Sequence, residues 1–128
     1  MKLLSIWMIL TTMAFSDIKV MISKENALIN ITKKELSDLY LGKITSIQGM
    51  EVTPIDNQES YKEFYNKIIQ KTPKQLRAYW MRETYESGKR QPPKKLSIQE
   101  IKKMMKSNRV IISYSSVCLK GGTLLAVQ

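Results

Sequence analysis

Short apolar runs at four places along the chain predict β-strands. These runs combine apolar with β-branched residues and stop at polar or glycine positions, which is typical of strands. They lie at 18–22, 51–55, 110–114 and 123–127. Pro54 has no amide hydrogen to donate, so the second strand is predicted to lie at the edge of a sheet or to end at that residue.

Apolar residues that recur three and four positions apart predict four α-helices. The clearest amphipathic pattern comprises Tyr61, Phe64, Tyr65, Ile68 and Ile69. The other three helices are predicted at 33–41, from Pro73 to Gly88, and from Ile98 towards Asn108. Each of these three starts with a capping box, in which a Ser or Thr and a Glu or Gln three residues later bond each other's backbone amides. The helix after Pro73 is predicted to turn four side chains inward, namely Leu76, Tyr79, Trp80 and Tyr85.

The order of these elements predicts one α/β domain. It reads β-α-β-α-α-α-β-(α)-β, with a short turn or helix at 115–120, which indicates a small mixed sheet flanked by helices. The chain has 128 residues, of which 43% are hydrophobic, and this is enough for one core without disulfide staples. Two prolines in the segment 89–93 predict a loop there.

The first sixteen residues have the features of an export signal. Lys2 provides a positive start, an apolar stretch follows, and Ala14 and Ser16 put small residues where signal peptidase cleaves. The apolar stretch is shorter than the roughly 20 residues that a membrane-spanning helix needs. We therefore expect residues 1–16 to be a cleaved signal peptide and residues 17–128 to be a single periplasmic domain without stable membrane insertion.

The side chains available for chemistry favour binding over catalysis. The chain has no His and one Cys, so the usual general base, the commonest metal ligand and most nucleophile pairs are missing. No nucleotide-binding loop or paired-cysteine motif occurs. We expect no enzyme activity, no cofactor and no metal. Cys118 cannot form an intrachain disulfide and is expected to be a buried thiol, with a reactive or intermolecular thiol as the alternative.

The charge of the chain predicts contact with anions. The formal net charge is +10, which suits nucleic acid, an anionic surface or a small oxyanion. The aromatic residues recur at helical spacing beside aliphatic ones, which indicates a core and not a base-stacking surface. An exported protein also meets little nucleic acid, so we expect no nucleic-acid partner.

The junction between the second predicted strand and the following helix is the candidate binding site. A helix N-terminus presents free amide hydrogens and a partial positive charge, which can hold an oxyanion. The side chains that could donate there are Asn57, Gln58, Ser60 and Tyr61. The alternative is that Asp56 and Glu59 only cap this helix, and the sequence leaves both interpretations open.

Five ordered segments resemble the short, single-lobe relatives of periplasmic phosphate-binding proteins. They cover most of residues 17–128 and lie at 38–45, 52–56, 75–80, 88–93 and 109–114. The resemblance implies one lobe of a type II periplasmic-binding-protein fold, in which two α/β lobes close on a ligand. Lys43 and Arg90, which lie in two of these segments, are added to the candidate anion ligands.

The phosphate site of that family is matched less well than its fold. Full-length relatives have an Arg and a Ser-Gly-Thr turn after the strand that residues 52–56 resemble, with the turn at the start of the helix. This chain has Pro54 at the first position and Gln58, Glu59 and Ser60 at the turn.

Two functions therefore stay open. One is a periplasmic solute-binding module of the phosphate-binding-protein type, whose cleft for phosphate or another small oxyanion is incomplete or is completed by a second lobe or a homodimer. The other is a ligand-less module that contacts an envelope protein, such as a transporter or a sensor, through the same lobe.

Overall fold

The computed structural model describes residues 18–23, 30–88, 91–107, 109–117, 119 and 122–128. The expected signal peptide, Cys118 and Arg90 lie outside the described residues. Among the described residues, no helix has the length and apolar character needed to cross a membrane.

Six strands of the described chain form one mixed sheet. They are β1 (Lys19–Ile22), β2 (Asn30–Ile31), β5 (Thr53–Asn57), β6 (Lys94–Leu96), β7 (Ile111–Ser115) and β8 (Thr123–Val127). Their spatial order is β2-β8-β1-β7-β5-β6, and a separate hairpin pairs β3 (Ser46–Ile47) with β4 (Met50–Glu51). The predicted mixed sheet is confirmed, although β2, β6 and the hairpin were not predicted.

The direction of the strands creates one edge at which three of them end. Strand β5 runs parallel to both β6 and β7, whereas β1 is antiparallel to β7 and β8. The carboxyl ends of β5, β6 and β7 are therefore at the same side of the sheet, and we call this side the carboxyl edge. Ligands of open α/β sheets bind at such edges.

The helices begin where their capping residues predict. Helix α1 (Lys33–Tyr40), α3 (Pro73–Ser87) and α4 (Ile98–Met105) each start with a complete capping box. The predicted helix over 61–69 is instead a single α-helical turn, α2 (Tyr61–Phe64), followed by a π-helical segment (Tyr65–Ile69).

Successive side chains along a strand point to opposite faces of the sheet, so the hydrophobic core is divided between the two faces. Val20 and Ile22 point to the face that α1, the π-helical segment and α3 cover, whereas Met21 points to the opposite face. On that opposite face α4 contributes Ile101 and Met105, both of which are buried. The sheet is thus covered on both faces, as the predicted α/β architecture requires.

The predicted edge position of Pro54 is wrong. Strand β5 lies inside the sheet, between β7 and β6. The amide of Thr53 donates to Val110 on the β7 side, so position 54 points to the other side, and the pairing with β6 starts only at Ile55. Proline is tolerated at position 54 because its nitrogen points to the β6 side of the strand, where β6 does not yet pair with β5.

The predicted inward orientation of Tyr85 is also wrong. Leu76, Tyr79 and Trp80 are buried as expected, but the side chain of Tyr85 is 93% exposed. Tyr85 lies nine residues after Leu76, which is two and a half turns of an α-helix. The half turn places it on the opposite face of α3 from Leu76.

Candidate functional site at the carboxyl edge

A buried carboxyl group lies next to the end of β5. Asp56 is 2% exposed, and its two carboxylate oxygens accept hydrogen bonds from the hydroxyls of Tyr65 and Tyr114, at 3.0 and 2.8 Å. Burial raises the pKa of Asp56 to about 6, because the charged form is poorly solvated. The two hydrogen bonds and the charge of Lys95 oppose this rise. Burial and the Asp56 charge in turn raise the pKa of both tyrosines well above the usual range.

An aromatic cluster holds these tyrosines in place. The rings of Phe64 and Tyr114 stack with centroids 3.7 Å apart, and Tyr40 packs on Phe64 at 4.8 Å. The Tyr40 hydroxyl donates to the carbonyl of Ile55 at 2.9 Å, which ties the cluster to β5. The side chains around the carboxyl group are therefore fixed by packing.

A cavity of about 860 Å³ lies beside Asp56. Asp56 and Tyr65 line it from the protein interior, and residues 92–93 contribute two prolines. Helix α3 supplies most of the remaining wall with Leu76, Arg77, Trp80, Met81, Thr84 and Tyr85. The walls are mainly apolar and aromatic, which is typical of a small-molecule site.

Two cations, Lys95 and Arg77, line this cavity together with Tyr61. The Nζ atom of Lys95 lies 3.7 Å from the centroid of the Tyr61 ring, in a cation–π contact. Burial and the Asp56 charge raise the pKa of Tyr61, whereas the positive charge of Arg77 opposes that rise. Neither cation forms an ion pair with a carboxylate among the residues that the structure describes. Both remain available to an anion.

The structure places the predicted donors at this junction in different environments. Asn57 is fully buried, and its amide is used internally, since Nδ2 donates to the Tyr114 carbonyl and Oδ1 accepts from the Glu59 amide, both at 2.9 Å. Gln58 is exposed at the end of β5. Ser60 is buried at the start of α2, and its side chain makes no capping hydrogen bond.

Of the predicted ligands, Tyr61 lines the cavity. Lys43 is exposed after the end of α1 and is not part of the cavity wall, and Arg90 lies outside the described residues. Helix α2 has only four residues, so its dipole is small and the array of amide donors expected at this junction is short.

The alternative interpretation of Asp56 as a helix cap is wrong. Its carboxylate accepts from the two tyrosine hydroxyls described above, and the N-cap residue of α2 is Ser60, which makes no side-chain capping bond. Sequence reasoning missed Arg77 and Lys95 as site residues because they are two of many dispersed cations. A topology prediction that placed Tyr65 and Tyr114 beside the end of β5 could have indicated that Asp56 is enclosed by their hydroxyls.

The comparisons with known proteins bear on the fold. No protein-family model matches the chain, and no curated protein matches it. An ABC-type phosphate transport receptor from Vibrio cholerae superposes with a TM-score of 0.58 at 13% identity, over 86% of this chain and 45% of the receptor. PstS from Borrelia burgdorferi superposes with a TM-score of 0.60 at 19% identity, over 87% of this chain and 47% of PstS.

The chain thus spans less than half the length of the receptors that it matches. It has the fold of one lobe of a phosphate-receptor-like substrate-binding protein, and the predicted fold class is confirmed.

Proposed function

We propose that this chain is a periplasmic solute-binding module that takes phosphate or another small oxyanion at the carboxyl edge. The observation that carries the proposal is that two cations, Lys95 and Arg77, line the same cavity, with Lys95 in contact with the Tyr61 ring. Guanidinium and ammonium groups donate strong, charge-assisted hydrogen bonds to oxyanions. The exposed Gln58 and the Ser60 hydroxyl, at the adjacent turn, are proposed to add neutral donors.

The position of the cavity supports this assignment. It lies where β5 and its parallel neighbours end, which is where open α/β sheets bind ligands. The likeness to two receptors for phosphate transport supports a binding role and not a catalytic one. Because the chain matches less than half of those receptors, we propose that a second lobe or a second copy of the chain completes the cleft.

Calorimetric titration of the purified protein with phosphate and sulfate, at low and at moderate salt, tests the proposal. We expect saturable binding that persists at moderate salt. The double variant Arg77→Gln and Lys95→Gln is expected to bind about 10- to 100-fold more weakly, because two charge-assisted hydrogen bonds are lost. The variant with Gln58→Ala and Ser60→Ala is expected to bind more weakly than wild type.

A matched control removes the same charge elsewhere. Lys102 and Lys103 are exposed on α4, on the opposite face of the sheet, and replacing both with Gln should leave the affinity within about twofold. The absence of binding heat with either oxyanion would contradict the proposed site. An equal loss of affinity in the Arg77/Lys95 variant and in the Lys102/Lys103 control would also contradict it.

A protein-docking module is the second candidate, and one observation favours it. The side chains of Met81 and Tyr85 on α3 are 74% and 93% exposed, next to the prolines of the 92–93 segment. Exposed apolar groups that lie together often mark protein contacts. An envelope protein, such as a transporter or a sensor, would then cover this surface, and no oxyanion would bind.

A further inference from the structure

The cavity is much larger than a bare oxyanion requires. Its volume is about 860 Å³, whereas a tetrahedral oxyanion is only a few times larger than a water molecule, whose share of liquid volume is about 30 Å³. Sites for organic molecules of drug size fall in the range of about 300–1,000 Å³. The space beside Asp56 therefore fits a ligand with an organic body.

Along the exposed face of α3, the residues that line the cavity change from a charged one to apolar ones. Arg77, Met81 and Tyr85 are four residues apart, so they follow one another along one helical face. Each step advances about 6 Å along the axis. An anionic group held at Arg77 and Lys95 would thus place the attached body on Met81 and Tyr85, in the cavity that Pro92 also lines.

The charges of the cavity select an anion over a cation. A carboxylate among aromatic rings can also bind an ammonium group, and Asp56 with Tyr61 would offer such a site. However, Lys95 already places its own ammonium group over the Tyr61 ring, and Arg77 adds a second positive charge. A cationic ligand would meet this repulsion, whereas an anion would relieve it.

We propose that the natural ligand is an organic oxyanion, a phosphate ester or carboxylate carried on a flat apolar ring, with its charge at Arg77 and Lys95 and its ring on Met81 and Tyr85. This inference rests on the proposed function, since it names the solute class for the same site. Asp56 fixes the orientation of the ligand, because an anionic group near its carboxylate is repelled towards the cations.

Three probes test the inference by calorimetry: inorganic phosphate, phenyl phosphate and benzylammonium. Phenyl phosphate is expected to bind about 10- to 30-fold more tightly than inorganic phosphate, because burial of the ring removes apolar surface from water. Benzylammonium, which carries a similar ring with the opposite charge, is expected not to bind.

Two exposed residues allow the ring contact to be removed without disturbing the core. In the double variant Met81→Ser and Tyr85→Ser, the preference for phenyl phosphate over inorganic phosphate should fall to within about threefold. The matched control replaces Val117 and Leu124 with Ser, since these residues are 52% and 50% exposed and do not line the cavity. It should keep the full preference.

Each outcome separates the inference from the proposed function. Equal affinity for inorganic phosphate and phenyl phosphate would overturn the organic-ligand inference and leave the oxyanion-binding function standing. Binding of benzylammonium in preference to phenyl phosphate would overturn the selection of an anion. If neither phosphate compound binds, both the inference and the proposed function fail.

Discussion

Replacement of Phe64 by Ala is expected to lower the free energy of unfolding by about 3–5 kcal/mol. Phe64 is fully buried and contacts three aromatic rings, those of Tyr40, Tyr65 and Tyr114. Removing the ring leaves a cavity in the cluster that supports both tyrosine partners of Asp56. Urea unfolding followed by circular dichroism measures the loss.

The matched control for this variant is Tyr85→Ala. It also removes an aromatic ring from a helical segment, but the Tyr85 ring is 93% exposed. We expect its effect to stay within about 0.5 kcal/mol, as for most exposed positions. A loss below about 1 kcal/mol for Phe64→Ala would contradict the description of the aromatic cluster as the support of the site.

The second large effect is a dependence of stability on pH through Asp56. Its pKa is about 6 in the folded protein, against an ordinary value of 3.8. The folded state therefore binds more protons than the unfolded state between these values, and stability falls as pH rises through this window. A difference of about two pKa units corresponds to about 3 kcal/mol, fully present below pH 4 and lost above pH 6.

The variant Asp56→Asn isolates this contribution. The amide oxygen still accepts a hydrogen bond from one tyrosine, but the side chain no longer titrates. The groups that face Asp56 are Tyr65 and Tyr114, with Tyr40 and Tyr61 nearby and Lys95 from β6. The four tyrosines stay protonated between pH 4 and 7, because burial raises the pKa of each of them.

Unfolding curves at half-unit steps from pH 4 to pH 7.5 measure the effect. The stability of wild type minus that of Asp56→Asn is expected to decrease with rising pH and to level off above pH 7. A difference that stays flat, or one that increases with pH, would contradict the raised pKa and the burial of this carboxyl group.

Local signals allowed much of the fold to be predicted from the sequence. The starts of α1, α3 and α4 were predicted correctly, because a capping box depends on residues only three positions apart. Strand β6 was missed because Lys94, Lys95 and Leu96 have no apolar pattern. It forms through pairing with β5, which is distant in the sequence.

The candidate site was predicted less well, because it depends on tertiary contacts. The sequence predicted a site near the end of β5 and included Tyr61, which lines the cavity. A capping role for Asp56 was left open as an alternative, since nothing local indicates that Tyr65 and Tyr114 would enclose it. Of the two cations that line the cavity, Arg77 lies on α3 and Lys95 lies on β6. Their proximity could not be predicted, because β6 itself was not predicted.

Mapping the ligand by nuclear magnetic resonance tests the central claim, that an oxyanion binds in the cavity at the carboxyl edge. The isotope-labelled protein would be titrated with phosphate and with phenyl phosphate, and backbone and arginine side-chain signals would be followed. We predict saturable shifts concentrated at Gln58, Tyr61, Arg77 and Lys95, which are lost in the Arg77→Gln and Lys95→Gln double variant. Shifts that instead centre on the exposed lysines of α4, or no saturable shifts at all, would contradict the account.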